Sequence, residues 1–347
     1  MTGGFMQEGL TFDDVQIRPR YSEVESREDV ELTTKLTVKK SIAIPLIASP
    51  MDTVCELKMA DALAEAGGLG VLHRFMPIEK QVMMAMTVLR AGTEHDIVAA
   101  AIGVNGESRE RAMALLKAGV NILVIDVAHG FHKNVKQMIE WLKPLKDEYD
   151  FEIVAGSIAT KDAAEFLQDW GADALRVGVG GGSVCETRIR TGIGIPQLES
   201  VLEAVSVAKV PVISDGGIRF PGDVAKALAA GADSVMIGSL FAGTDEAPGE
   251  YFIAGEWPYT KKMKIYRGLA SATTKMMYAG AASHVEGASK MIESRGPVKR
   301  MISDLTDGLT SSMSYVGAKN LSEFRTQSRF IRITPSGLAE AHPHLLR

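Results

Sequence analysis

Ala230-Gly-Ala-Asp-Ser-Val-Met-Ile237 has the same layout as two earlier stretches, Ala118-Gly-Val-Asn-Ile-Leu-Val-Ile125 and Trp170-Gly-Ala-Asp-Ala-Leu-Arg-Val177. In each, a helical pattern ends at a glycine in C-cap position, a polar residue turns the chain, and an apolar run begins. One helix–turn–strand unit used three times points to a stacked α/β architecture.

Outward from these units, eight apolar runs recur: 44–49, 69–73, 97–102, 122–126, 151–155, 174–177, 210–215 and 234–238. Segments with helical periodicity separate most of them, among them 56–66, 109–118, 161–170 and 222–230. Continuous apolar strands alternating with helices predict a parallel sheet covered on its outer face. Eight is the number that closes a (β/α)8 TIM barrel. An open doubly wound sheet is the competitor, but no Gly-x-Gly-x-x-Gly opens the first helix. The expected organisation is one barrel domain over 1–347, with an N-terminal arm at 1–40 and a C-terminal tail at 335–347. A long flap after strand eight occupies 242–297, followed by a helix at 298–313. The flap is rich in Gly, Ala and Ser, which favours a lid over a disordered insertion.

Composition narrows the function classes. The 347 residues are 46% hydrophobic, enough for a large core, and the net charge of −5 argues against a nucleic-acid binder. The run Lys261-Lys-Met-Lys264 reads as a solvated hairpin or loop face. Two cysteines, Cys55 and Cys185, lie far apart, which excludes a disulfide scaffold and suggests a reducing compartment. No signal peptide or membrane-length apolar stretch stands in the sequence, so a cytoplasmic protein is expected.

In such barrels, functional groups sit at the C-terminal ends of strands. Those ends carry Ser49-Pro-Met51-Asp52, His73-Arg74, Gly103-Val-Asn105, Asp126-Val-Ala128-His129 and Gly156-Ser157. Asp215-Gly-Gly217 and Gly238-Ser239 follow strands seven and eight, where backbone N–H groups commonly bind phosphate. Asp215 is placed to accept hydrogen bonds from ribose hydroxyls. The sixth strand runs into Gly178-Val-Gly-Gly-Gly-Ser183-Val-Cys185-Glu-Thr187-Arg188. Four glycines within five positions make a loop whose backbone can approach a ligand closely. A thiol just beyond it is a candidate nucleophile, and the alternative is a small buried cysteine after a flexible loop.

Taken together, these strand ends resemble the inosine monophosphate dehydrogenase / guanosine monophosphate reductase family. The most specific segments are Gly182-Ser-Val-Cys185 with Thr187-Arg188, Thr191-Gly-Ile-Gly-Ile-Pro-Gln197, Ser214-Asp-Gly-Gly217 and Phe241-Ala-Gly-Thr-Asp-Glu246. The resemblance implies a purine-nucleotide oxidoreductase in which Cys185 adds to C2 of the purine and Thr187 assists proton transfer. It implies substrate contacts from Ser49, Met51, Ser183, Asp215, Gly217, Gly238, Ser239, Tyr266, Gly268, Leu269, Glu286 and Gly287. Asp126, Ala128, His129, Gly178 and Gly180 fall on the nicotinamide side. A monovalent cation such as K+ would sit at Gly180, Gly182 and Cys185 with Glu340 and His342 from the tail of a neighbouring subunit, in a homotetramer without nucleic-acid or membrane partners.

The family has two chemistries, and the sequence is mixed between them. The reductase converts GMP to IMP and ammonia with NADPH, and the compact length, Tyr278-Ala-Gly280 and Phe330-Ile-Arg-Ile333 resemble it. The dehydrogenase oxidises IMP to XMP with NAD and K+, and Ile218-Arg-Phe220 and Glu340-Ala-His342 resemble it. Dehydrogenases usually carry a regulatory insertion after the second strand and a water-activating Arg-Tyr pair on the flap, and residues 270–295 contain no such pair. Against the reductase, Ala272 stands where a flap glutamate is expected. Glu186 is then the candidate for the missing carboxylate, with a surface salt bridge as its other reading, and His284 is a further candidate acid or base. The reductase is the first expectation and the dehydrogenase the second. A non-catalytic nucleotide-binding barrel is the third, disfavoured by the intact Cys185/Thr187 pair.

Overall fold

The computed structural model describes residues 6–90, 97–279 and 285–342. Eight parallel strands close into a barrel: β1 (Leu46–Ala48), β2 (Leu69–Leu72), β3 (Ala99–Ile102), β4 (Ile122–Asp126), β5 (Glu152–Ile158), β6 (Ala174–Val177), β7 (Val212–Asp215) and β8 (Ser234–Ile237). Each strand pairs with its sequence neighbours, and β8 returns to β1 through Val235–Leu46 and Ile237–Ala48. Each of the eight apolar runs falls on one of these strands, with β5 continuing past its run to Ile158. The three repeated units close as expected, with Gly119, Gly171 and Gly231 at φ of 93°, 117° and 108°.

The runs are continuous because both faces of every strand are buried. Successive side chains alternate in direction. Ile47, Val71, Ala99, Ala101, Ile122, Val124, Val154, Ile213 and Met236 fill one apolar cluster. Their neighbours Leu46, Leu72, Ala100, Leu123, Ile153 and Val235 pack with the helices in the other. A short hairpin, Thr34–Lys35 with Ser41–Ile42, adds Leu36 and Ile42 to the first cluster. The buried carboxylate of Glu152 is held there by the Thr37 hydroxyl (2.6 Å) and the Lys39 backbone N–H (3.0 Å). The arm is otherwise tied to the end of the chain, since Val15–Ile17 pairs antiparallel with Phe330–Arg332.

The region after β8 is more regular than its composition suggests. Strands β9 (Phe252–Ala254), β10 (Lys261–Arg267) and β11 (Ser289–Glu293) form an antiparallel sheet, and a helix spans Ala272–Ala279. The helix expected at 298–313 runs over Val298–Val316. Lys264 corrects the reading of Lys261-Lys-Met-Lys264 as a solvated face. It lies within β10, is 1% exposed, and donates from Nζ to the carbonyls of Thr244 (2.8 Å) and Ala247 (2.5 Å). Among the described residues, no helix is long and apolar enough to cross a membrane.

Thr37→Val should leave the Glu152 carboxylate short of a donor in a dry site and cost about 1–3 kcal/mol. Urea denaturation reads this as a lower midpoint, and an unchanged midpoint would mean that the pair contributes nothing.

Candidate active site

At the end of β6 the chain enters the glycine loop through Gly178, whose N–H donates to the Ile158 carbonyl at 2.7 Å. A side chain is impossible here, because a Cβ on Gly178 would lie 2.0 Å from the Asp215 carbonyl oxygen. Arg188 then staples the loop from within, its guanidinium reaching the carbonyls of Val179 (3.1 Å) and Ile195. The loop's far limb is zipped to the flap by two antiparallel bonds, Glu186 N–H to Glu286 O and Ala288 N–H to Val184 O, both 2.8 Å. Gly268 N–H to Ala288 O (2.9 Å) and Glu286 N–H to Ala270 O (3.0 Å) continue this pairing into the flap.

That zipper assembles three reactive groups. Cys185 Sγ lies 3.2 Å from Thr187 Oγ1, and Thr187 Oγ1 donates to Glu286 Oε2 at 2.8 Å. An ionised carboxylate only accepts, so the threonine proton is committed to Glu286 and the thiol is the donor to Thr187. A proton path therefore runs from sulfur through a hydroxyl to a carboxylate. Cys55 differs from Cys185 throughout: it is fully buried, and burial pushes its thiol far up.

Cys185, Thr187 and Glu286 line a cavity of about 1000 Å³ at the C-terminal mouth of the barrel. Ser49, Met51, Ser183, Asp215, Gly217, Gly238, Ser239, Tyr266, Gly268, Leu269 and Gly287 line it as well. Burial pushes the Tyr266 phenol up to about 12, so it is a neutral donor. Asp126, Ala128, Gly178 and Gly180 line it on another side, and it extends to Met76, Glu107 and Arg111. One ionic chain crosses this floor. Arg176 binds Asp126 Oδ1 (2.5 Å) and Asp215 Oδ2 (2.7 Å), and Arg74 approaches Asp126 Oδ2 at 3.6 Å. Burial pushes the Asp215 carboxyl up, and the Arg176 guanidinium opposes that shift.

Several expected residues fall elsewhere. Glu186 is outside the cavity lining. It lies before the helix Thr187–Thr191, and the i,i+4 guanidinium of Arg190 takes its carboxylate at 2.9 Å. Glu286, expected among the substrate contacts, lines the cavity and also holds Thr187. Ala272 begins the Ala272–Ala279 helix. His129 is exposed and outside the cavity lining. Glu340 and His342, expected to serve a neighbouring subunit, lie within this chain outside that lining: the tail helix Pro335–Glu340 packs on the Phe12–Asp14 turn, with His342 within electrostatic reach of Asp13. Among the described residues, no group of three or more His, Cys, Asp or Glu could hold a metal. His284 lies outside the described residues. Arg74 stood at one of the strand ends singled out in the sequence, whereas Arg111, Arg176 and Gln197 were given no site role there, although Gln197 closes the Thr191–Gln197 motif.

Residues 9–344 match the family described as the IMP dehydrogenase / GMP reductase domain. An inosine-5'-monophosphate dehydrogenase from Cryptosporidium parvum is 37% identical, covering 97% of this chain and 95% of its own length over 391 positions. A GMP reductase from Leishmania major is 32% identical, covering 98% of this chain and 97% of its own over 484 positions. The crystal structure of a cysteine-to-alanine variant of Trypanosoma brucei GMP reductase, in complex with guanosine 5'-monophosphate, superposes with a TM-score of 0.91 at 31% identity, covering 98% of both chains. Chain length therefore does not separate the two chemistries, since the dehydrogenase alignment is the shorter one.

Iodoacetamide should label Cys185 of the native protein and spare Cys55, and Cys185→Ser should take no label. Labelling at Cys55 at a comparable rate would contradict the burial described above.

Proposed function

The chain belongs to the IMP dehydrogenase / GMP reductase family, and within it we propose that it is a GMP reductase, converting GMP to IMP and ammonia with NADPH. The observation that carries this reading is the Cys185–Thr187–Glu286 proton path, together with a flap sequence that has no adjacent Arg-Tyr pair between 270 and 295.

The phosphate is assigned to the backbone cradle at Gly217, Gly238 and Ser239 with the Ser183 and Tyr266 hydroxyls. The ribose is assigned to Asp215, and the base to Met51, Gly268, Leu269 and Gly287. In this arrangement purine C2 faces Cys185. The thiol proton moves through Thr187 to Glu286 as sulfur bonds to C2. The same path returns that proton to the 2-amino group, the C2–N bond breaks, and ammonia leaves. A neutral amine is a far better leaving group than an amide anion, so the proton has to arrive as the bond breaks. Asp126, Ala128, Gly178 and Gly180 would hold a reduced nicotinamide, whose chemistry when bound would be to supply a hydride to C2. The C–S bond then breaks and the Cys185 thiolate is restored. The balance is GMP, NADPH and two protons giving IMP, NADP+ and ammonium. The cavity's extension toward Met76, Glu107 and Arg111 fits a second ligand beside the nucleotide.

The dehydrogenase is the second reading, favoured by relatives such as that of Borreliella burgdorferi, which is 38% identical over 99% of this chain and 98% of its own. It would use the Thr187–Glu286 pair as the base on water.

Glu286→Gln and Thr187→Val should each lower ammonia release from GMP by about 10²–10⁴-fold while GMP still binds. Cys185→Ala should bind GMP and release no ammonia. Ammonia release at the wild-type rate in Glu286→Gln would remove the proton path from the mechanism.

A further inference from the structure

Gln197 is the first residue of the helix Gln197–Val205, follows Pro196, and is 5% exposed. Its Nε2 donates to the Val177 carbonyl (2.8 Å) and approaches Ser214 Oγ at 3.2 Å. Those contacts lace the ends of β6 and β7 together just below the site. They also fix the amide orientation, because a rotated amide would press oxygen against the Val177 carbonyl. Oε1 therefore faces the glycine loop, and there it is buried with no hydrogen-bond partner. A Cβ on Gly178 or on Gly181 would lie 2.9 Å from it.

A buried acceptor left without a donor costs free energy, and donors are adjacent. Among the described residues, the N–H groups of Gly180, Gly181 and Gly182 make no hydrogen bond. An orphan acceptor packed against a loop that has idle donors is a seat that the loop can settle onto. We propose that Gln197 is the positioning residue of the cysteine loop: Nε2 anchors it to the barrel, and Oε1 takes a loop N–H as Cys185 is drawn onto the purine. The proposal rests on Cys185 being the nucleophile. Its role is distinct from that of Thr187 and Glu286, since Gln197 makes no hydrogen bond to the thiol and acts through the loop backbone.

Gln197→Leu keeps the volume and removes both polar contacts. A displacement of about 1 Å at a reacting atom can cost about 10²-fold, so kcat should fall by about 10–100-fold with little change in the nucleotide KM. Gly181→Ala crowds the same oxygen from the loop side and should also lower kcat. In a Gln197→Ala background the added methyl finds room, so the two losses should be strongly non-additive. Merely structural damage would lower folded fraction and act multiplicatively. Wild-type kcat in Gln197→Leu, or multiplicative losses in the double variant, would overturn the proposal. If Gln197→Leu does not fold, Gly181→Ala alone tests the contact with Gln197 and its anchors intact, and a wild-type kcat there overturns it. Alkylation of Cys185 by iodoacetamide separates this proposal from the proposed activity, because it needs no turnover. Should the wild type not consume GMP, a changed alkylation rate in Gly181→Ala still supports the positioning role, and an unchanged rate rejects it.

Discussion

One hydroxyl group, that of Thr187, sits between a thiol and a carboxylate that belong to different parts of the chain. The sulfur comes from the loop after β6 and the carboxylate from the segment before β11, so their meeting depends on the backbone zipper between Val184–Glu186 and Glu286–Ala288. A carboxylate alone beside a thiol would repel the thiolate. With the hydroxyl interposed, proton and negative charge are kept apart while the path between them stays short. The flap is thus part of the reacting constellation as well as a cover over it.

The barrel supplies the rigidity that this arrangement needs. Arg176 fastens Asp126 and Asp215 from the sixth strand and so fixes the acids at the ends of β4 and β7. Removing a buried guanidinium would leave two carboxylates uncompensated, which is far costlier than the pair is stabilising. Gly178, pressed against the Asp215 carbonyl, holds the loop's root to the neighbouring strand end. Beyond that root the glycines have few side-chain contacts of their own, which leaves Arg188 and Gln197 as the side chains that define the loop's shape.

Much of the architecture was legible in the sequence because strands buried on both faces are written as continuous apolar runs, and the glycine-capped repeat marks where three of them begin. Cys185 and Thr187 were legible because they follow one another on a single loop. The partnership of Thr187 with Glu286 was not, because 99 residues separate them and only flap pairing joins them. Adjacency favoured Glu186, yet a short helix places Arg190 one turn on and takes that carboxylate away. Lys264 misled for a related reason: a charge run suggests solvent, whereas strand alternation turns this ammonium inward onto carbonyls. His129 shared its strand end with Asp126, yet it is exposed and does not line the cavity, a difference that composition does not show.

The central claim, that this site removes ammonia from GMP by reduction, is tested most directly by the absorbance of reduced nicotinamide in two mixtures. One holds GMP with NADPH, the other IMP with NAD and potassium. Loss of absorbance in the first, with no gain in the second, is the predicted result. A gain in the second with the first unchanged would contradict the claim and make the Thr187–Glu286 pair a base acting on water.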